Sequence, residues 1–245
     1  MHSRIVFATA GRVLRQLSHD HRTVALLFVV PALLLALIAW IYSNQPLVFD
    51  RYGAPVLGIF PFIVMFLVTS IATLRERSSG TLERLMASPM SKFDFLIGYA
   101  LAFGLIAAVQ ALCTSAVAVG LLGLDIAGPY WYLVVAAILS ALLGSALGLC
   151  MSAFARTEFQ AVQFMPALIF PQLLLGGLLL PIDKLPVVLE AAANILPLTY
   201  VIDAMQRVTV EVTPSYWAYV DIVFIVVPIF AAIALGAITL RRQVR

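Results

Sequence analysis

The chain has 245 residues, of which 63% are hydrophobic and 11% charged, with a formal net charge of +3. Soluble domains carry roughly 25% charged residues, so this composition cannot cover a water-facing surface and excludes an ordinary soluble domain. In a membrane protein the placement of cations matters more than their sum, and the charge is not read as a nucleic-acid signal.

In chain order, residues 4–19 form the first predicted element, a helix too short to span. Val6, Phe7, Ala10, Val13, Leu14 and Leu17 share one face, and Arg4, Arg12, Arg15, Gln16 and His19 the other. This two-faced pattern predicts an amphipathic helix in the interface plane, its cations toward lipid headgroups. A hydrocarbon core of about 30 Å needs roughly 20 apolar residues. Residues 24–42, 55–74, 95–122, 130–155 and 216–240 meet that length, the last leaving Asp221 near the interface. Residues 159–180 are a further span, but Gln160, Gln163, Pro166, Pro171, Gln172 and Gly176-Gly177 predict that it is kinked or broken. The fold class is therefore all-α, with six transmembrane helices in a single transmembrane domain over 1–245.

Lysine and arginine orient the bundle, because short basic loops stay cytoplasmic. With both ends inside, the inner side holds Arg4, Arg12, Arg15, Arg22, Arg75, Arg77, Arg84, Lys92, Arg156, Arg241, Arg242 and Arg245, and the outer side only Arg51, Lys184 and Arg207. Most of the tyrosines and tryptophans, Trp40, Tyr132 and Trp217 among them, fall at the outer headgroup level, where such rings anchor. The expected location is thus the cytoplasmic (inner) membrane, multi-pass, with cytoplasmic termini.

Between the second and third spans, Ser78-Ser79-Gly80 leads into a short helix that Pro89 ends. Leu82, Leu85 and Met86 form an apolar knob at i, i+3 and i+4, beside Glu83 and Arg84. A two-turn helix is not stable alone, so it must dock on a cytoplasmic partner. Ser91 and Asp94 then have capping-box spacing before the third span. The fourth span carries Ser140, Gly144, Gly148 and Ser152, a stripe of small residues that permits close helix approach, compatible with a neighbour in this chain or in a second copy. Residues 181–215 are too apolar for a surface loop. Leu185–Ile195, bounded by Pro186 and Pro197, predicts a re-entrant helix dipping into the outer leaflet, and Asp203 and Arg207 have helix-pair spacing.

No phosphate-cradling Gly-x-x-x-x-Gly-Lys-Ser/Thr run occurs, and the spans hold no central ionisable residue of the kind that proton- or sodium-coupled carriers use. Glu158 reads as an inner-surface partner of Arg156. His2, His19 and His21 match neither a zinc site nor a catalytic triad, so no metal, catalytic residue or bound cofactor is expected. A secondary carrier or channel, or a non-transporting assembly subunit, is the alternative class.

The run Arg75-Glu76-Arg77-x-x-Gly80-Thr81-Leu82-Glu83-x-Leu85-x-x-Ser88-Pro89 resembles the membrane subunits of ABC-2 type permeases, a family that exports drugs, lipids and lipid-linked glycans. Pro197-Leu198-Thr199-Tyr200-Val201-Ile202-Asp203 is similar to an outer segment of its drug-exporting branch, although the basic residue falls at Arg207, one place late. The resemblance implies that 76–89 is a coupling helix, with Glu76, Gly80, Thr81, Leu82, Glu83, Leu85, Met86 and Pro89 at the ATPase contact. It further implies two copies of a cytoplasmic ATPase that binds ATP and magnesium, and a second permease subunit, the same or different. Cargo would pass along the second and fifth helices, lined by Phe62, Phe66, Gln163, Phe170 and Gln172, to an outer gate at Pro181, Pro197, Tyr200 and Asp203. The uncharged interior suits an amphipathic or lipidic cargo.

Overall fold

A computed structural model describes residues 3–78 and 92–239. Among them are nine α-helices: α1 (Ser3–His19), α2 (His21–Ile41), α3 (Pro46–Ser78), α4 (Lys92–Gly120), α5 (Tyr130–Ser152), α6 (Glu158–Leu175), α7 (Val187–Ala193), α8 (Pro197–Val210) and α9 (Tyr216–Thr239). A 3-10 turn at Ile182–Lys184 lies between α6 and α7. Helices α2, α3, α4, α5 and α9 are long and apolar enough to cross a membrane. The expected span at 159–180 is helical only to Leu175 and is not among those five, because its glutamines and prolines dilute the apolar run. Gly176 closes α6 by donating its N–H to the Gln172 carbonyl at 2.8 Å, and Gly177 turns the chain at φ +86°.

The bundle is built around α3 and α5. Ser140 donates its hydroxyl to the Gly58 carbonyl at 2.7 Å. One turn on, a Cβ at Gly144 would fall on the Phe62 carbonyl, and another turn on, a Cβ at Gly148 would fall on that of Phe66. The small-residue stripe therefore packs within the chain, its four-residue period meshing with the same period on α3. Pro55 and Pro61 do not end α3, which runs for 33 residues, about 50 Å at 1.5 Å per residue.

Local chemistry sets the other elements. Asp20 starts α2 one residue after α1 by accepting from the Thr23 amide (3.3 Å) and hydroxyl (2.7 Å). Within α2, Pro31 lacks the amide that would bond the Leu27 carbonyl, and buried Gln110 of α4 donates to that carbonyl at 2.8 Å instead. Gln110→Leu is expected to cost about 1 kcal/mol, read as a lower unfolding midpoint of the purified chain in detergent.

At the surface the structure adds detail to the expected elements. Within 181–215 the packing against the bundle is made by α8, whose Leu198, Val201, Ile202 and Met205 are buried, whereas α7 has seven residues with Val187 and Val188 exposed. The two helices meet at 85°, a bend that could make them one broken span or a re-entrant loop. Tyr132 is packed inside the protein and does not present its ring to lipid, its hydroxyl donating to the Ala218 carbonyl at 2.9 Å. On α1, Val6, Ala10 and Val13 are buried as the pattern requires, but Phe7 is 70% exposed and Arg12 turns inward.

Candidate coupling joint and outer cavity

At the end that leads into residues 79–91, three helices are tied together. Glu76, in the last turn of α3, is only 6% exposed and accepts a 2.8 Å hydrogen bond from Arg12 Nη1. Arg12 Nη2 donates to the Tyr99 hydroxyl of α4, also at 2.8 Å, and the guanidinium stands 5.9 Å from that ring's centroid. Beside this joint α1 and α4 approach closely, since a Cβ at Gly98 would lie 2.7 Å from Thr9 Cβ. Arg12 thus engages the chain's own Glu76 instead of the headgroups, and Glu76 faces inward. Arg4 and Arg15 remain exposed.

Arg75 makes a two-pronged pair with Glu158 at 2.7 and 3.0 Å, joining α3 to the start of α6. Glu158 is therefore paired with Arg75 and not with Arg156, whose amide bonds Gln160. Both partners are about half exposed, so the pair contributes no more than about 1 kcal/mol. Arg77 donates to the Ser152 carbonyl, which fastens α3 to the end of α5. Gly80, Thr81, Leu82, Glu83, Leu85, Met86 and Pro89, with Ser91 of the expected capping box, lie outside the described residues. Asp94 is buried in the first turn of α4.

The expected path residues divide. Phe62 and Phe66 are buried where α3 packs on α5. Gln172 is also buried. Its amide oxygen accepts from the Leu198 N–H at 3.2 Å, capping an otherwise open amide at the start of α8. Only Gln163 and Phe170 are exposed, both on α6.

On the opposite end, Arg207 of α8 reaches three carboxylates: Asp203 at 2.7 Å, Asp221 of α9 at 2.9 Å and Glu211 at 3.4 Å. The expected Asp203–Arg207 spacing pair is present. Asp221 is buried, its side chain 5% exposed. Sequence reasoning missed this contact, although an aspartate in the first turns of an apolar span is a signal that a cation must stand beside it. Burial acts to raise the pKa of Glu211, but hydrogen bonds from Ser215 and Arg207 outweigh it and hold the carboxyl below its ordinary value.

Next to this cluster opens a cavity of about 940 Å³, within the range of small-molecule sites, whose walls include Leu47, Tyr52, Asp125, Leu179, Asp183 and Arg207. Asp50 accepts the Asp125 N–H at 2.9 Å and so holds the α4–α5 link against α3. Of the expected gate residues, Pro181 and Asp203 line the cavity. Pro197 is the first residue of α8, and Tyr200 stacks on Phe224 at 4.6 Å while donating to the Asn194 carbonyl.

A sequence model of the family described as "ABC-2 type transporter" matches residues 5–210. ABC transporter G family member 20 of Dictyostelium discoideum is 27% identical over 188 residues, which cover 76% of this chain and 26% of that protein. The probable multidrug ABC transporter permease YbhR of Escherichia coli is 26% identical over 168 residues, covering 68% and 46%. Nodulation protein J of Rhizobium leguminosarum bv. trifolii is 31% identical over 102 residues, covering 40% and 38%. The matched regions span less than half the length of each of these relatives.

Proposed function

Because this chain belongs to the ABC-2 type transporter family, we propose that it is the membrane-spanning permease subunit of an ATP-binding-cassette exporter, moving an amphipathic drug-like molecule or a lipid outward across the cytoplasmic membrane. A separate cytoplasmic ATPase, two copies per complex, binds ATP and magnesium and docks at 76–89. A second permease subunit completes the path. Helix α6 serves as the sixth span, and both ends face the cytoplasm. The similarity to a relative named as a probable multidrug permease favours the drug-like cargo.

The observation that carries this reading is the Arg12–Glu76–Tyr99 joint. It ties α1, α3 and α4 where the chain enters the segment that would receive the ATPase. A push on 79–91 would then be delivered to three helices together, and the role of Glu76 is to anchor the joint rather than to touch the ATPase. Among the described residues the buried carboxylates Glu76, Asp94 and Asp221 lie toward the ends of the long helices and not along the middle of the bundle, which favours force applied from the cytoplasm over an ion gradient.

Two measurements test this. The purified chain should capture a soluble ATPase, and Leu82→Asp with Leu85→Asp should abolish capture. Arg12→Ala should leave ATP hydrolysis within about twofold of the parent complex but lower transport per ATP by about tenfold, since a joint worth 1–2 kcal/mol governs the coupling. Transport by the chain in vesicles without ATP or a partner would overturn the proposal.

A further inference from the structure

The outward face of α1 is the feature that the coupling reading leaves unused. Helix α1 contains no Asp or Glu. Its buried side is sealed to α4 by Val6, Thr9, Ala10 and Val13, and Arg12 is taken by Glu76. What remains exposed is Arg4, Phe7, Ala8 and Arg15, with Gln16, Ser18 and His19 in the last turn, followed by Arg22 at the start of α2. None of these three arginines is ion-paired among the described residues. Helix α2 is apolar enough to cross a membrane and begins two residues after α1 ends, so α1 is tethered at the bilayer surface.

We infer that this face of α1 is a seat for anionic phospholipid headgroups, with Arg4, Arg15 and Arg22 on the phosphates and Phe7 inserted among the acyl chains beneath them. A zwitterionic lipid would cover Phe7 equally well, but its own ammonium balances its phosphate, whereas an anionic surface supplies the net countercharge that three guanidiniums need. An exposed aromatic flanked by cations is the arrangement expected of a helix that lies on such a surface. Because the same helix carries Arg12 into the joint with Glu76, the lipid beneath α1 would also set how firmly that joint is held. The inference rests on the reading that α2 crosses the membrane with α1 on its cytoplasmic side, and not on the identity of the cargo or the ATPase.

The test uses the full chain with Cys113 and Cys150 replaced by alanine and Ala8→Cys carrying an environment-sensitive fluorophore. The labelled chain is reconstituted in vesicles of phosphatidylcholine and phosphatidylglycerol in which one or the other is brominated. At equal mole fraction, brominated phosphatidylglycerol should quench at least about twofold more than brominated phosphatidylcholine, and the preference should shrink in high salt. Arg4, Arg15 and Arg22 changed together to glutamine should equalise the two lipids, while changed to lysine they should keep the preference. Equal quenching by both lipids in the arginine-bearing chain, or quenching by neither, overturns the inference. Capture of the ATPase is read separately, so a failed docking would leave this preference intact and a lost preference would leave docking intact.

Discussion

Gly148→Ala should destabilise the chain by about 3 kcal/mol or more, and Gly148→Val should prevent recovery of folded protein. Inserting a methyl into a packed core ordinarily costs 1–3 kcal/mol, but here the added Cβ would fall on the backbone of Phe66. A flexible side chain could step aside; a helix backbone can do so only by separating α3 from α5. The same argument applies one turn away at Gly144 against Phe62. Gly11 provides the control, since nothing lies within 4 Å of a Cβ there. Gly11→Ala should be neutral or gain up to about 1 kcal/mol from helix propensity. Thermal unfolding in detergent separates the cases, and a Gly148→Ala midpoint equal to that of Gly11→Ala would show that α3 and α5 do not meet as described.

The second large effect is expected at the Arg207 cluster. Arg207→Met removes the cation that three carboxylates share, and Asp221 has almost no access to water. Breaking a buried pair from one side costs 3–5 kcal/mol. Arg207 is itself partly solvated, which places the expected loss near the lower end, about 3 kcal/mol. Adding Asp221→Leu to Arg207→Met should restore most of that loss, because the penalty lies in the stranded charge and not in the missing attraction. If the double variant unfolded no later than Arg207→Met alone, Asp221 would not be the residue that Arg207 neutralises.

The contrast between these two regions shows what sequence reasoning could reach. The five long helices follow from apolar run length alone, and their predicted ends fall within a few residues of the observed ones for all but α3, whose extension back to Pro46 is hidden by the charges of Asp50 and Arg51. Small residues at four-residue spacing on α5 announced a close helix contact but not its partner, because the matching side of α3 presents backbone carbonyls, which leave no mark in the sequence. Buried polar groups were the hardest to place. Arg12 looked like one more cation for the headgroups, and Gln172 like a path residue. Each instead meets a specific need elsewhere, a buried carboxylate 64 positions away and an open helix amide 26 positions away. Such long-range pairings are set by packing, and a helical wheel reads only one helix at a time.

Helix α3 carries Tyr52 on the wall of the cavity and Glu76 in the joint at its opposite end. Both ends of the molecule are therefore handles on one bar about 50 Å long. Pro55 and Pro61 each remove one backbone hydrogen bond from that bar, so a displacement applied at Glu76 reaches the cavity end only through the proline-bearing stretch. The glycines of α5 grip the bar between those handles, at Phe62 and Phe66, so α3 is held in its middle by backbone contact and at its ends by polar side chains, Asp50 on one and Glu76 on the other.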